Sequence, residues 1–295
     1  MPVPVLSSGL MPLAWSPNGA FIASLDREKD LIAFYEANTA TRLWSFPLGF
    51  TSWDLAWNPM SDSLLVGTDD GSFSLHIVSH TLIRILPELD GPIHTLSFSP
   101  DGTLAVLCDG VVHVFNGAHI LPDHAEEEVT SLQWSPDGHF LATGTFEGTV
   151  RIWEADTGRL THTFRHSHVW ALEWGNSGIE DAHVLFSGGD DFSLCIWDPH
   201  IGNLQKSIPI GGNIYRISAG SQGLLALEME SDLGSPQEVW LCDIASGACS
   251  PLIDEDGAHF AEAAWNPQGN CLGLIRSNGE IALRPRNDLT ARTLT

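Results

Sequence analysis

Seven copies of one short motif, and an unbroken run of strand-length segments between turn signals, predict an all-β fold: a seven-bladed β-propeller of four-stranded antiparallel blades. The motif is an aromatic residue, a small polar residue, Pro, a polar residue and Gly. Trp15, Phe98, Trp134 and Trp265 open clear copies, Trp57 keeps the first half, and Trp174 and Ala219 open weaker ones. The intervals between these anchors are 42, 41, 36, 40, 45 and 46 residues, the length of a four-stranded repeat. No stretch carries a competing 3.6-residue apolar period.

Each unit reads as four short strands. In the fourth, Val129 to Trp134 is apolar-rich, Pro136-Asp137-Gly138 turns and Phe140 to Thr143 follows. Glu147-Gly148 turns again, Thr149 to Trp153 alternates, Asp156-Thr157-Gly158 turns and Leu160 to Phe164 closes the unit. Pro presets φ near −65° and Gly tolerates positive φ, so each Pro-x-Gly can reverse the chain between antiparallel strands. One blade cannot bury both faces of its sheet, whereas seven stacked radially can, so residues 1–295 read as one domain. Two segments compete for the outer strand of the seventh blade, Val3 to Leu6 and Leu289 to Leu294. The second is favoured, because Pro2 and Pro4 remove backbone donors from the first.

Composition fits a folded chain with a large core: 43% apolar, 17% charged and 11 Trp. Thirteen Lys and Arg against 37 Asp and Glu give a formal charge of −24, which repels a phosphate backbone and argues against nucleic acid as a partner. Basic proteins are favoured instead. The N-terminal Met-Pro-Val-Pro-Val carries no basic segment and no long apolar run, so neither a signal peptide nor a membrane span is expected. Cys108, Cys195, Cys242, Cys249 and Cys271 are odd in number, scattered and free of any Cys-x-x-Cys pair. They read as reduced thiols of a cytoplasmic protein, with no disulfide and no zinc site.

Val150-Arg-Ile-Trp-Glu-Ala-Asp-Thr-Gly158 and Leu194-Cys-Ile-Trp-Asp-Pro-His-Ile-Gly202 resemble the third-strand signature of WD-repeat β-propellers, the second with the literal Trp197-Asp198 pair. The resemblance covers essentially the whole chain. It implies a hydrogen-bonded tetrad in each complete blade: a His before the first strand, a Ser or Thr on the second, an acid in the turn after it and the third-strand Trp. The fifth blade supplies His166, Ser187, Asp191 and Trp197, and the fourth supplies His124, Thr143, Glu147 and Trp153. Asp109 with Phe115, and Asp70 with His76, hold the acid and Trp places in degenerate copies. Tyr35, Cys242 and Arg284 stand in the Trp place of the first, sixth and seventh blades.

A His, a Ser and an Asp together invite a catalytic reading, but strands of a blade offer the Ser no strained elbow and no oxyanion donors. The tetrads read as structural, each member satisfying another. Asp254-Glu255-Asp256-Gly257 lacks the acids that a calcium loop needs and reads as a solvated acidic turn. No catalytic residue, metal ligand or cofactor is assigned.

Of the remaining tryptophans, Trp44 and Trp240 fall in outer strands, explained by burial between blades. Trp53 and Trp170 share a slot four residues before the anchor, which around the ring reads Met11, Trp53, His94, Thr130, Trp170, Tyr215 and Ala261. The resemblance implies that this slot faces the narrow top surface around the central channel, where partners dock. Three large aromatics, a Met and a His there read as a binding patch. Glu126, Glu127 and Glu128, in the loop before the fourth blade, read as its acidic rim, with Asp69, Asp70, Asp190 and Asp191 and the loop from Glu230 to Gln237. The resemblance thus implies a non-catalytic scaffold, a subunit of a multiprotein complex, holding a peptide or basic patch of a protein partner. An enzyme with its site at the channel mouth is the alternative.

Overall fold

The computed structural model describes residues 13–26, 29–86, 89, 91–115, 119–120, 127–176, 183–230, 237–254, 257, 259–276 and 279–293. They form seven antiparallel sheets, each with its strands side by side in chain order. Six sheets have four strands, spanning residues 13–47, 52–85, 93–120, 129–165, 169–209 and 213–251; the seventh, residues 260–285, has three among the described residues. The first strand of each sheet touches the first strand of the next, and that of the seventh touches that of the first. The sheets therefore close into a ring with the first strands innermost, the expected propeller.

The repeated motif has a local and a long-range task. In the fourth blade Ser135 Oγ accepts the Phe140 N–H (2.9 Å) and donates to Asp137 Oδ1 (2.6 Å), while Gly138, at φ +73°, sends its N–H to Ser135 O. The side chains thus close the reversal that Pro and Gly begin. The aromatic anchor works across the seam between blades. Indole Nε1 donates to an innermost-strand carbonyl of the preceding blade at Trp57 (Ala14 O, 3.1 Å), Trp134 (Ser97 O, 3.2 Å) and Trp174 (Gln133 O, 3.0 Å). Trp15 does the same to Ala264 O at 2.8 Å, bridging the last blade to the first. These four anchors each pack a large ring and satisfy its one donor, which is why Trp suits the position; the indole N–H of Trp265, the fifth Trp anchor, is buried without a partner.

Four expectations change. Residues 286–293 form a helix, α1 (Arg286–Thr293), instead of an outer strand; it follows Pro285, carries Asp288 in its first turn and buries Leu289 beside Phe260 and Trp265. With two apolar residues in eight, Leu289 and Ala291, the segment has little to bury as an outer strand, whereas the helix seats Leu289 in the core. The rival segment, Val3 to Leu6, lies outside the described residues. Cys242 and Cys249 form a disulfide, because the hairpin of the sixth blade places them as direct cross-strand partners with Cα atoms 4.1 Å apart. Trp240 belongs to a third strand (Glu238–Asp243), not an outer one. In the second blade, Leu75, fully buried, stands opposite Leu64 in the register where Trp153 stands opposite Leu141; His76 is one step on and exposed. The turn there is one residue shorter, Gly67 pairing with Ser72 where Gly144 pairs with Val150, and a one-residue slip exchanges faces. No described helix is long and apolar enough to cross a membrane.

Candidate functional site

The slot four residues before each anchor is a β-bulge. The innermost and second strands pair Ser52 with Thr68 and then Asp54 with Gly67, passing over Trp53. Thr130, Trp170, Tyr215 and Ala261 are passed over in the same way, and His94 falls in the shift of the third blade. A bulged residue leaves the ladder and its side chain is re-aimed. This single irregularity, repeated in six blades, turns one side chain per blade out of the seam.

Three of these side chains are large, and each gives its polar hydrogen to an acid in or beside the turn between the second and third strands of its own blade. Trp53 Nε1 donates to Asp69 Oδ1 (2.7 Å), Trp170 Nε1 to Asp190 Oδ1, and Tyr215 OH to Glu230 Oε2 (2.9 Å). Burial and the Glu230 carboxylate push the Tyr215 hydroxyl up to about 12, so it remains a donor. All three rings are half-buried. Around Trp170 the cluster grows: Phe146 meets its edge with centroids 5.5 Å apart and stacks on His168 at 4.4 Å, and His168 Nδ1 lies 2.9 Å from Asp190 Oδ2. His94 is exposed and lies 5.5 Å from the Trp53 ring. Apolar rings backed by carboxylates make a surface that attracts cations and packs apolar groups. Met11 and Glu126 lie outside the described residues.

The acidic rim is less free than the sequence suggested. Glu127 faces Arg151 at 2.6 Å and Arg165 at 3.8 Å, and accepts from Thr149 Oγ1 at 3.0 Å. Burial opposes its ionisation, yet the bonds from Arg151 and Thr149 outweigh it and hold the carboxyl below its ordinary range. Glu147 Oε2 accepts the backbone N–H of Glu128. Because Arg151 is only 12% exposed, Glu127→Ala leaves a nearly buried guanidinium without its counter-ion. We expect a loss of about 3 kcal/mol of unfolding free energy, read by urea titration; an unchanged midpoint would return Glu127 to the solvated rim. Asp254 is also no solvated turn: 3% exposed, it holds Arg284 (2.7 Å) and Arg276, so a charge pair fills the place of the tetrad in the seventh blade.

In the fifth blade the tetrad is a continuous chain: Trp197 Nε1 to Ser187 Oγ (2.8 Å), Ser187 Oγ with His166 Nδ1 (3.0 Å), and His166 Nε2 with Asp191 Oδ1 (3.1 Å). In the fourth, Trp153 Nε1 donates to Thr143 Oγ1 at 2.9 Å; His124 lies outside the described residues. Ser187 is fully buried and accepts an indole hydrogen, so no substrate reaches it. Among the described residues no three His, Cys, Asp or Glu are placed to hold a metal ion.

The sequence reading missed a charged belt, carried by the innermost strands together with Glu228 on the second strand of the sixth blade. Arg216 lies within the electrostatic reach of Glu228, Glu262, Asp54 and Glu173, which belong to four blades. Burial pushes the Glu173 carboxyl up to about 8 against the attraction of Arg216 and a bond from Gln133 Nε2 (3.2 Å). Charges one and three residues before an anchor, inside strands that should be apolar, were the available signal.

Comparison with known proteins returns one architecture. The family model "Anaphase-promoting complex subunit 4 WD40 domain" matches residues 111–177, and "WD domain, G-beta repeat" matches residues 158–198. The mouse F-box-like/WD repeat-containing protein TBL1X is 30% identical over 156 residues, covering 52% of this chain and 25% of that protein. Bovine WD repeat-containing protein 1 is 29% identical over 158 residues, covering 48% and 25%. The matched stretch thus spans about a quarter of each relative's length. A chain in a crystal structure of the mitotic checkpoint complex superposes with a TM-score of 0.75 at 18% identity, over 94% of this chain and 90% of that one.

Proposed function

We propose that this chain, a WD-repeat β-propeller, is a non-catalytic scaffold that holds a basic segment of a protein partner against the channel mouth. The observation that carries the reading is the threefold pairing of a bulged aromatic with a carboxylate of its own blade at Trp53, Trp170 and Tyr215. None of these rings is needed by the repeat, since His94, Thr130 and Ala261 take the same bulge in other blades. Relatives with this fold include a protein in a mitotic checkpoint complex, which supports membership of a multiprotein assembly. We place the chain in the cytoplasm on the thiols of Cys195 and Cys271, against which the Cys242–Cys249 disulfide stands.

The test is Trp53→Ala combined with Trp170→Ala. A stoichiometric partner recovered from native extract with the wild-type chain should bind the double variant at least 100-fold more weakly, since each buried aromatic anchor is worth about 2 kcal/mol or more. The variant should still fold, because both rings are half-exposed at bulges. Full binding by the folded double variant would refute the docking face.

A further inference from the structure

The turn between the second and third strands of the fifth blade contains a residue that the fold does not ask for. Phe192 adopts φ +60° and is 50% exposed. Counted from the third-strand Trp place, Gly110, Gly148 and Gly279 hold the same position in the third, fourth and seventh blades, at φ +78°, +84° and +83°. Left-handed backbone is natural for glycine and adverse for a bulky side chain. Phe192 therefore bears backbone strain while half of its ring stays in water, so burial does not account for it. Strain held at a surface aromatic is the mark of a site kept for contact.

The surroundings indicate what makes that contact. On the inner side of the turn, Asp190 takes the Trp170 indole and His168; on the outer side, the Phe192 carbonyl accepts the N–H groups of Ile210 (2.8 Å) and Gly211 (3.3 Å). The turn thus runs radially from the channel mouth to the link beyond the outer strand. At Gly211 a side chain would meet nothing within 4 Å, so this end is open. Trp170, Asp190, Asp191 and Phe192 form a track that begins aromatic, turns acidic and ends apolar, on a chain of net charge −24.

We infer that the top of the fifth blade seats an extended basic segment of a partner protein, its cation over Asp190 and Asp191 and a neighbouring apolar side chain against Phe192. This rests on the scaffold reading and adds a direction and a sequence requirement to it. The segment needs a Lys or Arg two positions from a large apolar residue, because alternate side chains of an extended chain share a face and lie about 7 Å apart.

The probe is a set of synthetic peptides with central Leu, Met or Phe flanked by Lys and Arg, alongside versions with central Ala and with Asp and Glu flanks. The wild-type chain should bind the basic apolar peptides at least tenfold more tightly than either control. Phe192→Gly should lose that tenfold and bind the Leu and Ala peptides alike, with a thermal midpoint unchanged or raised. Equal Leu and Ala affinities on the wild-type chain, unaltered binding by Phe192→Gly, or a midpoint lowered by several degrees would each overturn the inference. If the Trp53 and Trp170 double variant loses a native partner while Phe192→Gly keeps basic peptides, the docking face stands and the track falls. If the double variant keeps that partner, the docking face itself fails.

Discussion

Trp197→Ala should destabilise the fold by about 4 kcal/mol, the range for a buried Trp truncation, and lower the melting temperature by about 10 °C in a chain of this size. The side chain is 5% exposed and stacks on Phe164 with centroids 4.7 Å apart. Its loss leaves a cavity and strips Ser187 of its donor, at the head of the chain through His166 to Asp191. Trp197→Phe separates the two effects: it refills most of the volume without the N–H and should cost about 1 to 2 kcal/mol. A Phe variant as stable as wild type in urea would show that the hydrogen-bonded chain adds nothing to packing. Acid should weaken the same blade. Burial lowers the His166 pKa despite Asp191, so the folded state holds the ring neutral while the unfolded state takes up a proton. Stability is full above the unfolded value near 6.5 and falls as the pH drops through the folded one.

Alkaline solution should expose a second weakness, at Glu173. Its carboxyl is raised from 4.5 to about 8, so the folded chain keeps a proton that the unfolded chain releases. The stabilisation is complete below pH 4.5 and is lost as the pH rises through 8, amounting to about 5 kcal/mol at 1.36 kcal/mol per unit. Glu173→Gln cannot titrate, yet its amide oxygen still accepts from Gln133. Unfolding of this variant should show a shallower decline between pH 4.5 and 8 than the wild type, the remainder coming from Glu228, whose carboxyl burial also raises. Parallel pH profiles for the two proteins would remove Glu173 as the cause.

The repeat was legible because its signals are local. Ser135, Pro136, Asp137 and Gly138 write a turn within four residues, and Trp134 fills a seam wherever that turn recurs. The four strands read for the fourth blade are observed at Val129–Trp134, Phe140–Thr145, Thr149–Glu154 and Leu160–Arg165. What the sequence hid depends on register and on distant partners. The bulge at Trp53 is a property of two paired strands, and the slip from His76 to Leu75 comes from one missing turn residue. Cys242 meets Cys249 only once a hairpin aligns them. Glu127 appeared to be one of three solvated acids because Arg151 and Arg165 lie on later strands of its blade. The aromatic slot itself was visible as a column of residues; the carboxylates that hold its rings were not.

The indole bonds between blades also set the mechanics of the ring. Trp15, Trp57, Trp134 and Trp174 rivet four seams, and between the sixth and seventh blades Ser218 Oγ accepts the backbone N–H of Trp265 and Glu228 Oε1 that of Ala263. Phe98 and Ala219 carry no indole, and other groups tie the seams they guard. Asp54 Oδ2 accepts the Leu96 N–H at 2.9 Å between the second and third blades, and Ala171, Phe186, Ile214 and Ile217 share one apolar cluster between the fifth and sixth. With every seam tied, a push on one blade is carried around the whole ring, and the bulges at Trp53 and Trp170 keep a set distance from each other.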